Sequence, residues 1–181
     1  GKTTFVNLIS RLFDIEEGEL LVDGMNIKKY CLDELRTSIG YVPQETFLFS
    51  DTIENNIAYA EKNFNKDKVI EAAKISQIYK DVDNFPKRFD TILGERGINL
   101  SGGQKQRTSI ARAILADPGI LILDDSFSAV DTYTEEEILK GLKEVLKDRT
   151  TILISHRVST LKNCDRIIVL KEGTVAEEGT H

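Results

Sequence analysis

The chain has 181 residues, 40% hydrophobic and 30% charged, enough for one hydrophobic core with a small subdomain and ordinary for a globular protein. A net charge of −6 argues against a broad nucleic-acid-binding face, although a local basic patch is compatible with it. Cys31 and Cys164 are far apart and form no CxxC pair, which disfavours a disulfide framework or a zinc site and fits a reducing, cytoplasmic setting. No stretch approaches the roughly 18 to 20 apolar residues that cross a bilayer, and no signal-peptide pattern opens the chain.

In chain order, Gly1-Lys2-Thr3 matches the last three places of the phosphate-binding pattern G-x-x-x-x-G-K-[ST], and Phe5, Leu8, Ile9 and Leu12 predict a helix behind it. The opening without a methionine reads as a cut through a motif, so a fragment is expected. Glu17-Gly18 and Asp23-Gly24 bracket a short strand over Glu19 to Val22, and Ile39 to Val42 predicts another, closed by Pro43 and followed at once by Gln44. From Thr46 to about Pro86 the pattern turns helical. Val69, Ala72, Ala73 and Ser76, with Ile75 and Ile78, give an amphipathic helix after the polar stretch Lys62 to Lys68. Phe47, Leu48 and Phe49 suit either a local core or an apolar surface groove.

The informative stretch runs from Leu100 to Asp131. Ser101-Gly102-Gly103-Gln104 is a side-chain-poor loop entering a helix over Lys105 to Ala116, with Ile110, Ile114 and Leu115 on its apolar face. Free N–H groups and the positive end of the helix dipole at that start make an anion site. Asp117-Pro118 ends the helix. Ile120 to Leu123 is an unbroken apolar run, as parallel strands buried on both faces require, and it delivers Asp124 and Asp125 to the carboxyl end where open α/β sheets place ligands. Thr134 with Glu137 predicts a capping box for a helix carrying Ile138, Leu142, Val145 and Leu146 on one face. Thr151 to Ile154 is a further buried strand ending at Ser155-His156, and Ile167 to Leu170, Glu172-Gly173 and Thr174 to Ala176 form a closing hairpin.

In order and spacing these motifs resemble the ATPase domain of ABC transporters: Leu100 to Gln104 matches the LSGGQ signature and Ile120 to Asp124 the Walker B motif. The resemblance implies an α/β fold: a P-loop NTPase core with a mainly parallel sheet, an α-helical subdomain at approximately 46–118 that includes the signature, and small antiparallel β elements. It implies ATP and Mg²⁺ as cofactors. Nucleotide contacts then fall to Gly1, Lys2, Thr3, Thr4, Gln44, Ser101, Gly102, Gly103, Gln104 and His156, and metal ligation to Thr3, Gln44 and Asp124. Asp125, His156 and Gln44 are the implied catalytic residues. Ser128 to Asp131 resembles the D-loop, which crosses the interface with a second ATPase domain bound head to tail. Gln44 resembles the Q-loop glutamine, which reports nucleotide state to a transmembrane domain, and Phe47 to Phe49 lie where that domain docks. Thr91 to Gly97, with Glu95, resembles the x-loop of exporters. The interval from Gln44 to Leu100 is too short for the coiled coils of related chromosome-maintenance ATPases.

One residue departs from the pattern. The family usually has glutamate after the Walker B aspartate, and this chain has Asp125, one methylene shorter. General-base catalysis is worth roughly 10²- to 10⁴-fold, so a misplaced carboxylate nearly silences a site. The sequence-based expectation is one half of a heterodimeric exporter whose own site is slow and whose signature completes its partner's site, with no nucleic-acid partner. The alternatives are a soluble ABC ATPase outside transport and a nucleotide-binding subunit of an importer. Without the glycine-rich part of the P-loop, weak or no ATP binding is expected of the isolated chain.

Overall fold

The computed structural model describes residues 1–181 except 62, 98, 146, 148 and 163, so the expected apolar position at Leu146 and the first residue of the polar stretch at Lys62 lie outside the described residues. The chain opens with α1 (Lys2–Ile9), a two-residue ladder of β1 (Leu21–Val22) on β2 (Met25–Asn26), α2 (Leu32–Thr37) and β3 (Ile39–Val42). A helical stretch follows, with α3 (Ile53–Ile57), α4 (Lys66–Ile75), α5 (Tyr79–Asp83) and the long α6 (Gly102–Leu115). Then come β4 (Ile120–Asp124), α7 (Thr132–Val145), β5 (Thr150–Ile154), α8 (Val158–Leu161) and the antiparallel pair β6 (Ile167–Lys171) and β7 (Thr174–Gly179).

The three apolar runs pair in parallel, in the order β3, β4, β5. Because side chains alternate across a strand, β4 serves two cores. Ile122, with Ile120 packed beside it, meets Val6 and Ile9 of α1 on one face, whereas Leu121 and Leu123 join the larger core of Leu48, Ile57, Val69, Ala73, Ile110 and Ile138 on the other. Truncating a side chain as buried as Leu121 costs about 2–5 kcal/mol. The α/β class with a parallel sheet and small antiparallel ladders is thus as the sequence predicts.

Several details differ. In α1 the buried residues are Val6 and Ile9, while Phe5 and Leu12 are 50% and 54% exposed. The helix stops at Ile9 and Arg11 has φ of 47°, so helical spacing no longer applies at Leu12. The strand expected over Glu19 to Val22 is confined to Leu21–Val22. The predicted helix at Lys105 begins three residues earlier, at Gly102, because Ser101 caps it. The capping box of Thr134 and Glu137 is not formed. Asp131 accepts the Thr134 N–H at 3.0 Å, and Glu137 instead pairs with Lys140 at 2.7 Å one turn on. Among the described residues β5 pairs on one side only, with β4, and of its own residues just Ile154 is buried. Phe47, Leu48 and Phe49 divide: Leu48 is core, Phe47 is half exposed, and Phe49 stacks on Tyr59 at 4.3 Å.

Candidate functional site

Parallel register aligns the carboxyl ends of the three strands. Val42 lies opposite Leu123 and Asp124 opposite Ile154, so Gln44, Asp125 and the Ser155-His156 turn emerge along one edge. Gln44 Nε2 approaches Asp125 Oδ2 at 3.4 Å, and the Asp125 N–H donates to the Ile154 carbonyl at 3.0 Å. Asp125 has φ of 47°, a left-handed conformation that aspartate tolerates better than most residues. Gln44 and His156 are exposed. Strand alternation turns Asp124, 1% exposed, toward the α1 face. There the Tyr41 hydroxyl reaches Asn7 Oδ1 at 3.3 Å and Asp124 Oδ2 at 3.4 Å, and its single proton serves one of them at a time. Burial, then the nearby Asp124 charge and hydrogen bond, push the Tyr41 hydroxyl above its ordinary pKa, so it stays a donor. Gly1, Lys2, Thr3 and Thr4 are all exposed at the start of α1, the helix that covers this sheet face.

A second cluster forms at the start of α6. Ser101 Oγ accepts the Gln104 N–H at 3.2 Å while Gln104 Oε1 accepts the Ser101 N–H at 2.9 Å, a reciprocal capping box. The first turn then docks on the loop after β4. Gln106 Nε2 donates to Ser128 Oγ at 2.8 Å, and Gln106 Oε1 accepts the Ala129 N–H at 2.9 Å. Glycine is required here for closeness: a Cβ on Gly103 would lie 2.7 Å from the Ala129 carbonyl oxygen. Among the described residues no hydrogen bond joins Ser101 to Gln104 with Lys2, Thr3, Asp124, Asp125 or His156. The candidate residues therefore fall into two groups, the sheet edge and the helix start.

Polar contacts that the sequence did not single out hold both groups. Arg157, beside His156, donates to Glu135 Oε2 at 2.6 Å and to the carbonyls of Val130 and Ser128 at 3.0 and 3.3 Å. Glu135 is 2% exposed and also accepts from the Thr160 hydroxyl, which in turn hydrogen-bonds Ser155 Oγ at 3.2 Å. Both flanks of His156 are thus tied to α7. At the far end of α6, Arg112 donates to the Asn56 and Phe47 carbonyls at 2.7 and 3.0 Å and lies over the rings of Phe49 and Tyr59. Burial lowers the Arg112 pKa. Nothing local in the sequence signalled the Arg157–Glu135 contacts, and for Arg112 the signal was a charge set between the alanines of α6. Between Leu93 and α6, Glu95–Gly97 makes one tight turn, with Glu95 exposed and Gly97 at φ of 66° against Leu48.

A parallel sheet with acidic and amide side chains along its carboxyl edge, covered by a helix that starts Gly-Lys-Thr, is the architecture of a nucleotide-binding α/β domain. Residues 1–128 match the ABC transporter family model. The chain is 49% identical over 181 residues to ABC transporter B family member 6 of Dictyostelium discoideum, covering 100% of this chain and 27% of that protein. It is also 49% identical over 181 residues to an ATP-dependent lipid A-core flippase of Desulfotalea psychrophila, covering 100% and 32%. Among solved structures, a bacterial Atm1-family ABC exporter with ATP bound superposes with a TM-score of 0.97 at 44% identity, over 100% of this chain and 32% of that one. The chain belongs to the ABC transporter family, and its similarity is to the nucleotide-binding domain of exporters. It spans about a third of the length of the curated relatives it matches.

Proposed function

We propose that this chain is the ATP-binding and hydrolysing domain of an ABC exporter, working at the cytoplasmic face of a membrane beneath a transmembrane domain. It pairs head to tail with a second ATPase domain, so that each ATP lies between the Lys2 end of one and the Ser101 to Gln104 end of the other. What supports this reading is the separation of the candidate residues into two groups, the sheet edge and the start of α6, with no hydrogen bond between them among the described residues. The exporter names of the relatives favour this reading over an importer or a soluble ATPase.

In hydrolysis, water attacks the γ-phosphorus and the bond to ADP breaks, so the protein neutralises charge and orients the water. Lys2 takes β- and γ-phosphate charge, while Thr4 and the N–H groups opening α1 meet the α-phosphate. Thr3, Gln44 and Asp124 offer a hydroxyl, an amide oxygen and a buried carboxylate, the hard-oxygen donor set that suits Mg²⁺. When bound by these residues, Mg²⁺ would supply further neutralisation of the phosphates. His156 contacts the γ-phosphate, and Gln44 and Asp125 orient the water. Asp125, shorter than glutamate, makes this a slow, nucleotide-holding site within a heterodimer, and Phe47 and Phe49 form part of the surface that meets the transmembrane domain.

Binding of MgATP to the full-length protein in lipid tests the assignment. Lys2→Ala should weaken binding at this chain's site about tenfold or more, as expected for loss of a charge-assisted contact worth roughly 1.5–3 kcal/mol. Unchanged affinity would contradict it.

A further inference from the structure

Asp81 lies on α5, outside every motif of the family resemblance, and is the acceptor for two side chains of α6. Gln104 Nε2 donates to its Oδ1 at 2.9 Å and Arg107 Nη1 to its Oδ2 at 2.8 Å. Arg107 also reaches the Gln77 carbonyl at 2.5 Å and the Gly103 carbonyl at 3.3 Å, so the α4 to α5 turn is fastened to the first turn of α6. A carboxylate only accepts, whereas a carboxamide has one face that donates and one that accepts. Asp81 therefore fixes which way the Gln104 amide points. Its NH₂ must face Asp81, which leaves Oε1 to accept the Ser101 N–H and close the capping box. With Ser101 Oγ already accepting the Gln104 N–H, the Ser101 hydroxyl proton is left free to donate outward from an exposed position.

We infer that Asp81 is a positioning residue for Ser101: by holding the Gln104 amide in one orientation it presents the Ser101 hydroxyl and the opening N–H groups of α6 to the phosphate bound by the partner domain. This rests on the head-to-tail reading above. Its consequence is felt in trans, at the site that this chain's signature completes, and not at Lys2.

The test uses the full-length protein with its partner in lipid. ATP turnover is measured for Asp81→Ala, Asp81→Asn, Gln104→Ala and the double variant Asp81→Ala/Gln104→Ala, and exchange of the Ser101 amide proton is followed alongside. Asp81→Ala should lower kcat about tenfold, the size of one lost hydrogen bond to a charged group, with KM for ATP within twofold. Asp81→Asn, which keeps an acceptor for Gln104, should restore most of that rate. In the Gln104→Ala background Asp81→Ala should cost little more, because the two act as one unit. The Ser101 amide should exchange faster in Asp81→Ala and at the unmutated rate in Asp81→Asn. Multiplicative losses in the double variant, an Asn variant no better than Ala, or unchanged Ser101 exchange would overturn the positioning role while leaving the function reading intact. Absence of ATP turnover in the unmutated complex would overturn the function reading and the effect in trans with it.

Discussion

At the start of α6 the side chains that orient the loop are closed on one another: Ser101 on Gln104, Gln104 on Asp81, and Gln106 on Ser128 and Ala129. At the carboxyl edge of the sheet, by contrast, Gln44 and His156 are exposed, and among the described residues the Asp125 side chain has one hydrogen-bond partner, Gln44 at 3.4 Å. Preorganised donors cost no reorganisation when charge develops, so the first arrangement suits a fixed recognition surface. Groups awaiting a ligand are left underdetermined by the protein alone, which suits the second. On the proposed reading this chain lends the rigid group to a partner and keeps the loose one, and Asp125 makes the loose one slower still.

The largest effect is expected where the rigid group meets the loop after β4. Gly103→Ala puts a Cβ 2.7 Å from the backbone oxygen of Ala129, and backbone cannot swing aside as a side chain can. Overpacking of this kind costs about 1–3 kcal/mol, and loss of the docked geometry should lower turnover of the paired complex at least tenfold. Gly179→Ala, whose Cβ meets nothing within 4 Å, should leave thermal unfolding within about 0.5 kcal/mol of the parent. Equal effects at the two glycines would erase the contrast between the regions.

Next in size is the link between them. Glu135 is buried while Arg157 is partly exposed, so removing the carboxylate should cost less than the ~3–5 kcal/mol of a fully buried pair, about 1–3 kcal/mol in thermal unfolding of Glu135→Ala. Glu135→Gln, still able to accept from Thr160 and Arg157, should lose about half as much. An alanine variant as stable as the parent would mean that His156 is not anchored through α7.

The smallest effect concerns the cap of α7. The Thr134 backbone N–H, then its hydroxyl, hold the Asp131 carboxyl below the usual carboxylate range. A depressed carboxylate stabilises the fold at pH values above its unfolded pKa, near 4, and that contribution fades as pH falls through the lower folded value. Asp131→Asn keeps an acceptor but loses the charge. Its deficit in thermal midpoint should shrink as pH drops from 6 to 3, and a deficit independent of pH would show that the carboxylate charge does not matter there.

How far these regions were legible in the sequence follows from the range of their contacts. Ile120 to Asp125 could be read because an apolar run ending in carboxylates is set by neighbours along the chain, and parallel pairing carried Gln44 and His156 to the same edge. Asp81 and Glu135 could not, since the partners Gln104 and Arg157 stand 23 and 22 residues away and only the folded chain brings them together. The cap at α7 was misread for a local reason. Thr134 with Glu137 has the right spacing, but Asp131 competes for the same N–H three residues earlier, with a charged acceptor. In α1 only Ile9 of the predicted apolar positions is buried: Val6 takes the inward place that Phe5 was expected to fill, and Leu12 lies past Arg11, where the chain has left helical geometry.

The most direct test of the central claim is ATP turnover by the full-length protein with its partner, with Asp125 as found and as Asp125→Glu. A slow, kept site predicts that glutamate, one methylene longer, raises turnover about tenfold or more, within the usual worth of a general base, with nucleotide still bound. Turnover that is unchanged or lower on Asp125→Glu would contradict the account and make native Asp125 an adequate base in a working site.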